Sequence, residues 1–193
     1  MKKFIFLMVL IALILPIIGA ATQVNEKLGP YSINFSTPTD IYTTQEITNN
    51  ETYEGTKFQM YTLNILNKTA KNHIMGSITV MHFDNPVNTN GVQLSNLQNM
   101  HLFKTIDTYK RKIDNMPGEL YIGKVSDTFN MYTWEYSLNS QNIVSGTSFM
   151  PWNNDTSEIL DTLHVDVIKG TDEALHKAGV SLNLSGLSSN LAR

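Results

Sequence analysis

The sequence predicts an α+β fold: an antiparallel β-sheet of about six or seven strands with two helices packed on it, in a single domain. Three observations support this class. Short segments in which apolar and polar side chains alternate recur along the chain, which is typical of half-buried strands. Turn signals rich in Asn, Gly and Pro separate them, which favours antiparallel neighbours. Two segments have the spacing of amphipathic helices.

The alternation places the strands. The first is predicted at residues 31–36, and Pro38 ends it. Residues 57–66 and 73–83 are predicted to pair as an antiparallel hairpin, because only a short polar stretch separates them. Residues 45–55 are polar and are predicted to form a turn or loop. Further strands are expected at 119–125, 129–138 and 142–150, with a closing edge strand at Val165 and Val167.

A central helix is predicted because four apolar residues recur at spacings of four, three and four, which places them on one helical face. These residues are Leu102, Ile106, Tyr109 and Ile113. Ser95 and Gln98 resemble a capping box at its start. The four residues are therefore expected to be buried against the sheet. A second, short helix is predicted after another capping box at residues 155–158.

The first 21 residues have the order of a secretory signal peptide. Two lysines precede an apolar stretch from residue 4 to residue 18, and three small residues follow. Cleavage is predicted after Ala21, with cleavage after Ala20 as the alternative. The competing interpretation is an uncleaved anchor, because residues 4–21 are at the lower limit of a membrane span. The protein is expected to be secreted or in the cell envelope, and membrane-bound only if this segment is retained.

The rest of the chain divides into three parts. Residues 22–29 are expected to be a polar lead-in, and residues 30–169 the single domain. Residues 170–193 are predicted to be a poorly ordered polar tail. Their few apolar side chains bury too little to offset the roughly 1–2 kcal/mol of backbone entropy lost per ordered residue.

The charge and the absence of cysteine exclude several classes of function. Without its two N-terminal lysines the chain has 12 basic and 17 acidic residues, a net charge of −5. That acidity argues against a nucleic-acid partner, which needs a basic surface. With no cysteine, thiol chemistry, cysteine-based zinc sites and iron–sulfur clusters are excluded.

Two His-x-Asp pairs are the candidate metal ligands: His82 with Asp84, and His164 with Asp166. Residues two apart on a strand point to the same side, so neighbouring strands would bring two imidazoles and two carboxylates together. That set suits Zn²⁺ or another divalent ion. The alternative is two separate pairs on solvated faces or strand ends.

Catalytic and cofactor motifs are otherwise missing from the sequence. No Gly-x-Ser-x-Gly elbow and no phosphate-binding glycine loop occurs, so no cofactor is expected. Residues 145–148 (Ser-Gly-Thr-Ser) lie inside a strand pattern and are interpreted as a thin part of the sheet.

Four aromatic residues have two interpretations. They are Tyr132, Trp134, Tyr136 and Trp152. They could form a platform for a sugar or peptide. The favoured interpretation is that they cover the sheet as part of the core, because large aromatic residues are mostly buried.

Five Asn-x-Ser/Thr sequons are candidate glycosylation sites in an exported protein. They begin at Asn34, Asn50, Asn67, Asn154 and Asn183. The alternative is that an Asn- and Thr-rich chain contains such triplets by chance.

The chain resembles the PsbP-like family over about residues 30–168. The resemblance is carried by the strand-then-Pro segment at residues 31–38, by residues 148–152 and by the helical segment at residues 157–163. It implies an α/β/α sandwich with an antiparallel sheet, and a role as an exported accessory or binding protein. It transfers no functional residue.

Three hypotheses follow for the function. The leading one is an exported, non-enzymatic binding or accessory protein for an unknown envelope partner or ligand. The first alternative is a metal-dependent hydrolase that uses the two His-x-Asp pairs. The second is a structural component of the cell envelope.

Overall fold

The computed structural model describes residues 21–69, 74–99, 101, 103–126, 129–149 and 153–168. Within these ranges the chain forms ten strands and two helices, and every strand pair is antiparallel. The predicted α+β class is confirmed. The prediction of one sheet with six or seven strands is wrong, because the strands divide into a three-stranded and a seven-stranded sheet. The predicted signal peptide, up to residue 20, and the predicted tail lie outside the described residues.

The three-stranded sheet joins the two ends of the described chain. It has the order β1-β2-β10, where β1 is Thr22–Leu28, β2 is Tyr31–Thr37 and β10 is His164–Val167. The expected lead-in at residues 22–29 is therefore a strand. It is ordered because Val24 and Leu28 face the core.

The seven-stranded sheet is two meanders placed side by side. Its order is β3-β4-β5-β9-β8-β7-β6. After β5 the chain crosses to the far edge of the sheet, and it then returns strand by strand until β9 pairs with β5. The predicted hairpin of β4 and β5 is confirmed. The strands are β3 Ile41–Tyr53, β4 Thr56–Asn67, β5 Ile74–Phe83, β6 Lys104–Ile113, β7 Met116–Ser126, β8 Phe129–Asn139 and β9 Asn142–Phe149.

Both edges of this sheet differ from the prediction. The expected loop at residues 45–55 is mostly strand β3, and most of the expected central helix is strand β6. A helix does precede β6, but it is α1, Val92–Asn99, and it begins before the expected cap at Ser95. Edge strands bury few side chains, so neither segment shows the alternation by which strands are recognised.

The helical spacing of the four apolar residues does not reflect burial. The side chains of Ile106 and Tyr109 are 61% and 47% exposed, whereas Ile113 is fully buried. Leu102 lies outside the described residues. Thr, Ile and Tyr are frequent between residues 104 and 113, and these residues favour strands.

Replacing Ile106 with Ala should therefore change the free energy of unfolding by less than about 0.5 kcal/mol. The same substitution at buried Ile113 is the matched control and should cost at least about 2 kcal/mol. Urea denaturation of both variants measures the difference. Equal losses would contradict the exposed position of Ile106 on strand β6.

The main core lies between the two sheets. Buried side chains from the three-stranded sheet, such as Ile33 and Phe35, pack with Leu63, Val80 and Trp134 of the seven-stranded sheet. We call this side of the larger sheet its inner face. Tyr132, Trp134 and Tyr136 are all buried there, which confirms that they are core residues. Trp152 lies outside the described residues.

The predicted thin part of the sheet is also confirmed. A Cβ atom on Gly146 would lie 2.3 Å from the ring of Trp134 on the neighbouring strand and 2.4 Å from the backbone oxygen of Ser77. Gly146 therefore leaves the space that the indole ring fills.

Helix α1 covers the other side of the seven-stranded sheet, which we call the outer face. Val92 at its start is fully buried with Met81, Phe83 and Ile143. Further along, Leu94 and Leu97 pack on a second cluster, which consists of Phe103, Tyr121 and Met131. The start of the helix therefore packs on the central strands β5 and β9, and its later residues pack over β7 and β8.

Helix α2, Asn154–Thr162, packs beside β2. Its N-cap is Asn153, whose side chain accepts a hydrogen bond from the amide of Thr156, and not the predicted box at residues 155–158. The carboxylate of Asp155 instead accepts hydrogen bonds from Thr37 and Thr39 at the end of β2. Asp155 therefore connects the helix to the three-stranded sheet.

Across the described parts of the chain, neither helix has the length and apolar character needed to cross a membrane.

Candidate functional site

A pocket of about 450 Å³ opens on the outer face, beside the start of α1. Its walls come from the loop before α1, the end of β6, the start of β7 and the matching part of β8. The lining residues are Thr89, Asn90, Gly91, Lys110, Arg111, Lys112, Pro117, Gly118, Glu119, Glu135, Tyr136 and Ser137.

The turn before α1 forms one wall of the pocket. Gly91 has a φ of +75°, a conformation that Gly adopts without strain. Its carbonyl accepts the first helical hydrogen bond, from the amide of Ser95. In the same loop, the hydroxyl of Thr89 accepts a hydrogen bond from the hydroxyl of Ser137 in β8. The loop is therefore held both to the helix and to the sheet.

Glu135 is a charged residue inside the structure, and only 4% of it is exposed. One carboxylate oxygen accepts a 2.9 Å hydrogen bond from the amide of Gln93, in the first turn of α1. A negative charge at this end of a helix is favourable. The other oxygen accepts a 3.0 Å hydrogen bond from the hydroxyl of Tyr121. Glu135 therefore anchors the helix to β8 and forms part of the pocket floor.

Glu135 is also part of a chain of three polar groups. The hydroxyl of Tyr121 contacts the carboxylates of both Glu119 and Glu135, yet it has one proton to donate. Burial raises the pKa of Glu135 above its ordinary value, although the amide of Gln93 and the hydroxyl of Tyr121 act in the opposite direction. Burial likewise raises the pKa of Tyr121 far above its ordinary value. The hydroxyl of Tyr121 can therefore donate its hydrogen bond to only one of the two carboxylates at a time.

Two lysines of β6 form the side of the pocket that faces the loop before α1. Lys110 is paired in register with Glu119, and Glu119 with Glu135, so these three side chains follow one row on the outer face. Lys112 lies two residues further along β6, and both lysines are exposed. Arg111, between them, points to the other face and forms an ion pair with Asp161 of α2.

This arrangement combines an acidic floor with a basic rim. Ammonium groups bind carboxylates and phosphates, whereas Glu119 accepts hydrogen bonds. The pocket can therefore hold a small molecule that has an anionic group at one end and a hydrogen-bond donor at the other. The volume lies within the range typical of small-molecule sites.

The structure does not bring the two His-x-Asp pairs together as a metal site. His82 is in β5 of the larger sheet, while His164 and Asp166 are in β10 of the smaller one. His82 Nδ1 lies 2.8 Å from the side-chain oxygen of Asn142. Among the described residues no group of three or more His, Asp or Glu side chains could hold a metal ion. Sequence spacing placed each pair on a strand, but it contained no information on which strands are neighbours.

His164 is instead part of a connection between the two sheets. Its Nδ1 atom lies 2.7 Å from a carboxylate oxygen of Asp114, and its Nε2 atom 2.8 Å from Asp166. The second oxygen of Asp114 accepts hydrogen bonds of 2.9 Å from the hydroxyl of Tyr136 and from the amide of Val165. Asp114 thereby joins the β6–β7 turn to β8 and β10.

Asp114 was not identified from the sequence as an important residue. The sequence signal that could have found it is the adjacent pair Asp114-Asn115, because Asp and Asn tolerate positive φ better than most residues. Both residues adopt positive φ here, 53° and 60°, as a two-residue hairpin turn of type I′ requires. The predicted helix concealed that turn.

The hydrogen bond with Asp114 raises the pKa of His164 above its ordinary value, although partial burial acts against this. A histidine with a raised folded-state pKa stabilises the fold fully below its unfolded pKa of about 6.5. That stabilisation is lost as the pH rises through the folded-state pKa. Because the His164 side chain is 54% exposed, the effect should be below about 1 kcal/mol.

We therefore expect His164→Gln to cost more stability at pH 5.5 than at pH 8.5. Denaturant unfolding of both proteins across this pH range measures the difference. His101→Gln, at an exposed position outside this contact, is the control for loss of a histidine. A loss for His164→Gln that is equal at both pH values would contradict the expectation.

The candidate glycosylation sites differ in accessibility. Asn34 is half-buried in the middle strand of the smaller sheet, whereas Asn154 is exposed at the start of α2. Asn67 is half-buried at the end of β4, and Asn50 belongs to β3. Asn183 lies outside the described residues. Among Asn34, Asn67 and Asn154, the side chain of Asn154 is the most accessible to a glycosyltransferase.

No protein-family model matches the sequence, and a comparison with curated proteins gives no significant match. The proposal for the function therefore depends on the geometry of the site.

Proposed function

We propose that this protein is an exported binding or accessory protein, and that its ligand occupies the pocket beside the start of α1. The ligand class is a small organic molecule with a carboxylate or phosphate group and a hydrogen-bond donor. The observation that carries the proposal is the row Lys110–Glu119–Glu135, which places opposite charges across a pocket of about 450 Å³. The signal-like N-terminus supports the exported location.

The buried acid supports a binding site rather than a purely structural one. Burying a carboxylate is costly unless it is paired or protonated, and the same place in the sheet could hold an apolar side chain. Glu135 keeps hydrogen bonds to α1 and to Tyr121, so the floor of the pocket is rigid before a ligand arrives. A preformed site loses less entropy on binding.

We also propose that the chain is related to the PsbP-like family. The support is the order of elements: a hairpin, a three-stranded meander, a helix, a four-stranded meander and a final helix. An exported accessory role, which the resemblance implies, agrees with the pocket proposal.

The proposal can be tested by ligand binding to the full chain, expressed with its own N-terminal segment. The panel contains amino acids, dicarboxylates, phosphate monoesters and inorganic phosphate. Calorimetry should find at least one member that binds, and Lys110→Met with Lys112→Met should weaken it at least about tenfold, the equivalent of 1.4 kcal/mol. Glu119→Gln should weaken amino acids more than inorganic phosphate, which makes no use of the acidic floor.

Lys57→Met is the control, because this lysine is exposed on β4 and does not line the pocket. It should leave the affinity unchanged. Binding that survives in the Lys110/Lys112 double variant would place the ligand elsewhere, and an absence of binding across the panel would overturn the proposed ligand class.

A further inference from the structure

The two edges of the seven-stranded sheet are long and open. Among the described residues, β3 and β6 each pair with one strand only, and they contain 13 and 10 residues. An edge strand has unpaired amide and carbonyl groups that can accept a further strand. Many proteins shorten or cover such edges.

The two edges carry opposite charges. Strand β3 contains two acids, Glu46 and Glu51, and no Lys or Arg. Strand β6 contains Lys104, Lys110 and Lys112, all exposed, together with one acid, Asp107. Arg111 is in the same strand, but its guanidinium is engaged by Asp161, so the attraction considered below does not depend on it.

Charges on an edge strand usually prevent unwanted pairing, because like charges repel. Here that repulsion acts between two β6 edges and between two β3 edges. It does not act between β6 of one copy and β3 of another, where the charges attract. The charge pattern therefore disfavours a symmetric dimer and favours a head-to-tail contact.

The direction of the strands is compatible with this contact. Because the seven strands alternate in direction, the first and the last run the same way. A second copy, moved without rotation across the strands until its β3 lies beside β6 of the first, therefore has that β3 parallel to β6. The outer faces of the two sheets then point in the same direction. Glu51 is paired with Phe58, which is buried on the outer face with Met81 and Phe83. Glu51 and Lys110 of the neighbouring copy therefore lie on the same face across the junction.

We propose that copies of this chain associate edge to edge, with β6 of one copy beside β3 of the next. The occupant of each edge is thus a second copy of the same chain. A head-to-tail contact that does not close into a ring continues as an open linear assembly. In such an assembly the α1 helices and their pockets all lie on one side, and the three-stranded sheets on the other, which suits an exported structural layer.

The test uses the purified full chain and measures its mass by sedimentation and its shape by electron microscopy. At low salt the mass should increase with protein concentration and linear particles should appear. At about 1 M salt, where the screening length is near 3 Å, the assembly should dissociate. Glu46→Lys with Glu51→Lys, and separately Lys110→Glu with Lys112→Glu, should each abolish assembly.

An equimolar mixture of these two double variants is the decisive sample. The first has two basic edges and the second two acidic edges, so neither should associate with itself, but they should assemble with each other. The control is Asp84→Lys, which changes the net charge in the same direction as Glu46→Lys with Glu51→Lys, but at the exposed end of β5, a strand with a partner on each side. It should assemble like the natural chain.

Three results would overturn the proposal. They are a monomer at every concentration, unchanged assembly of the Glu46/Glu51 variant, and a mixture that stays monomeric although both variants keep the circular dichroism and melting of the natural chain. The outcome is separable from ligand binding, because Glu46 and Glu51 do not line the pocket. Their variant should still bind the pocket ligand with unchanged affinity.

Discussion

Replacing Asp114 with Ala should lower the free energy of unfolding by about 3–5 kcal/mol. The side chain of Asp114 is only 5% exposed, and it accepts hydrogen bonds from Tyr136 and from the amide of Val165. Both of these residues are buried. Without the carboxylate, two buried donors lose their acceptor, at a cost of about 1–3 kcal/mol each. The contact with His164 is lost as well.

Two variants separate this effect from simple loss of charge. Asp166→Ala removes only the exposed partner of His164 and should cost less than about 1 kcal/mol. Asp114→Asn keeps one side-chain oxygen and tolerates the positive φ of this turn, so its loss should be intermediate. Denaturant unfolding measures all three.

Hydrogen exchange at Val165 gives an independent measure. Its amide should exchange faster in Asp114→Ala, because it loses its acceptor and the edge strand β10 is less firmly held. If Asp114→Ala remains within about 1 kcal/mol of the natural protein, Asp114 is not what holds the two sheets together at this corner.

Replacing Gly146 with Val should cost at least about 3 kcal/mol. Even the first carbon of a side chain would lie 2.3 Å from the ring of Trp134 and 2.4 Å from the backbone oxygen of Ser77. The indole is 2% exposed and cannot move into solvent, and Ser77 is in β5, which has a partner on each side. Overpacking of this kind forces side chains off their rotamers or shifts the backbone.

The neighbouring residue supplies the control. Ser145 is fully buried on the opposite side of β9, and its hydroxyl has no hydrogen-bond partner among the described residues. Ser145→Ala should therefore stabilise the protein, by about 1 kcal/mol, since it removes an unpaired polar group.

A double variant tests the cause. If the clash with the indole dominates, Trp134→Leu should cost less in the Gly146→Val background than in the natural protein. Additive losses would assign the effect to the contact with Ser77 instead. A Gly146→Val variant as stable as the natural chain would contradict the packing described for this strand.

The central strands could be predicted from the sequence because every second side chain in them is buried in the same core. In β2 every second residue, including Ile33 and Phe35, faces the core, and in β8 the same is true of Trp134 and Tyr136. Burial on one face leaves the period of two in the sequence. The hairpin of β4 and β5 and the turn between β8 and β9 were predictable for the same reason, since each connection is short.

The edge strands could not be read in this way. In β6 both sides are largely exposed, so the spacing of Ile106, Tyr109 and Ile113 matched a helix by coincidence. The pairing of β5 with β9 and that of β10 with β2 were equally hidden, because these strands are distant in sequence. Local propensity does not contain such pairings.

The candidate site shows the same division. Composition alone excluded cysteine chemistry and argued against nucleic acid, because these depend on which residues are present. The pocket, the burial of Glu135 and the contacts of Asp114 depend on which strands are neighbours. His82 and His164, alike in sequence, end in different sheets for that reason. Side-chain chemistry and short-range periodicity were available from the chain itself, whereas every contact across the core required the strand order that only folding establishes.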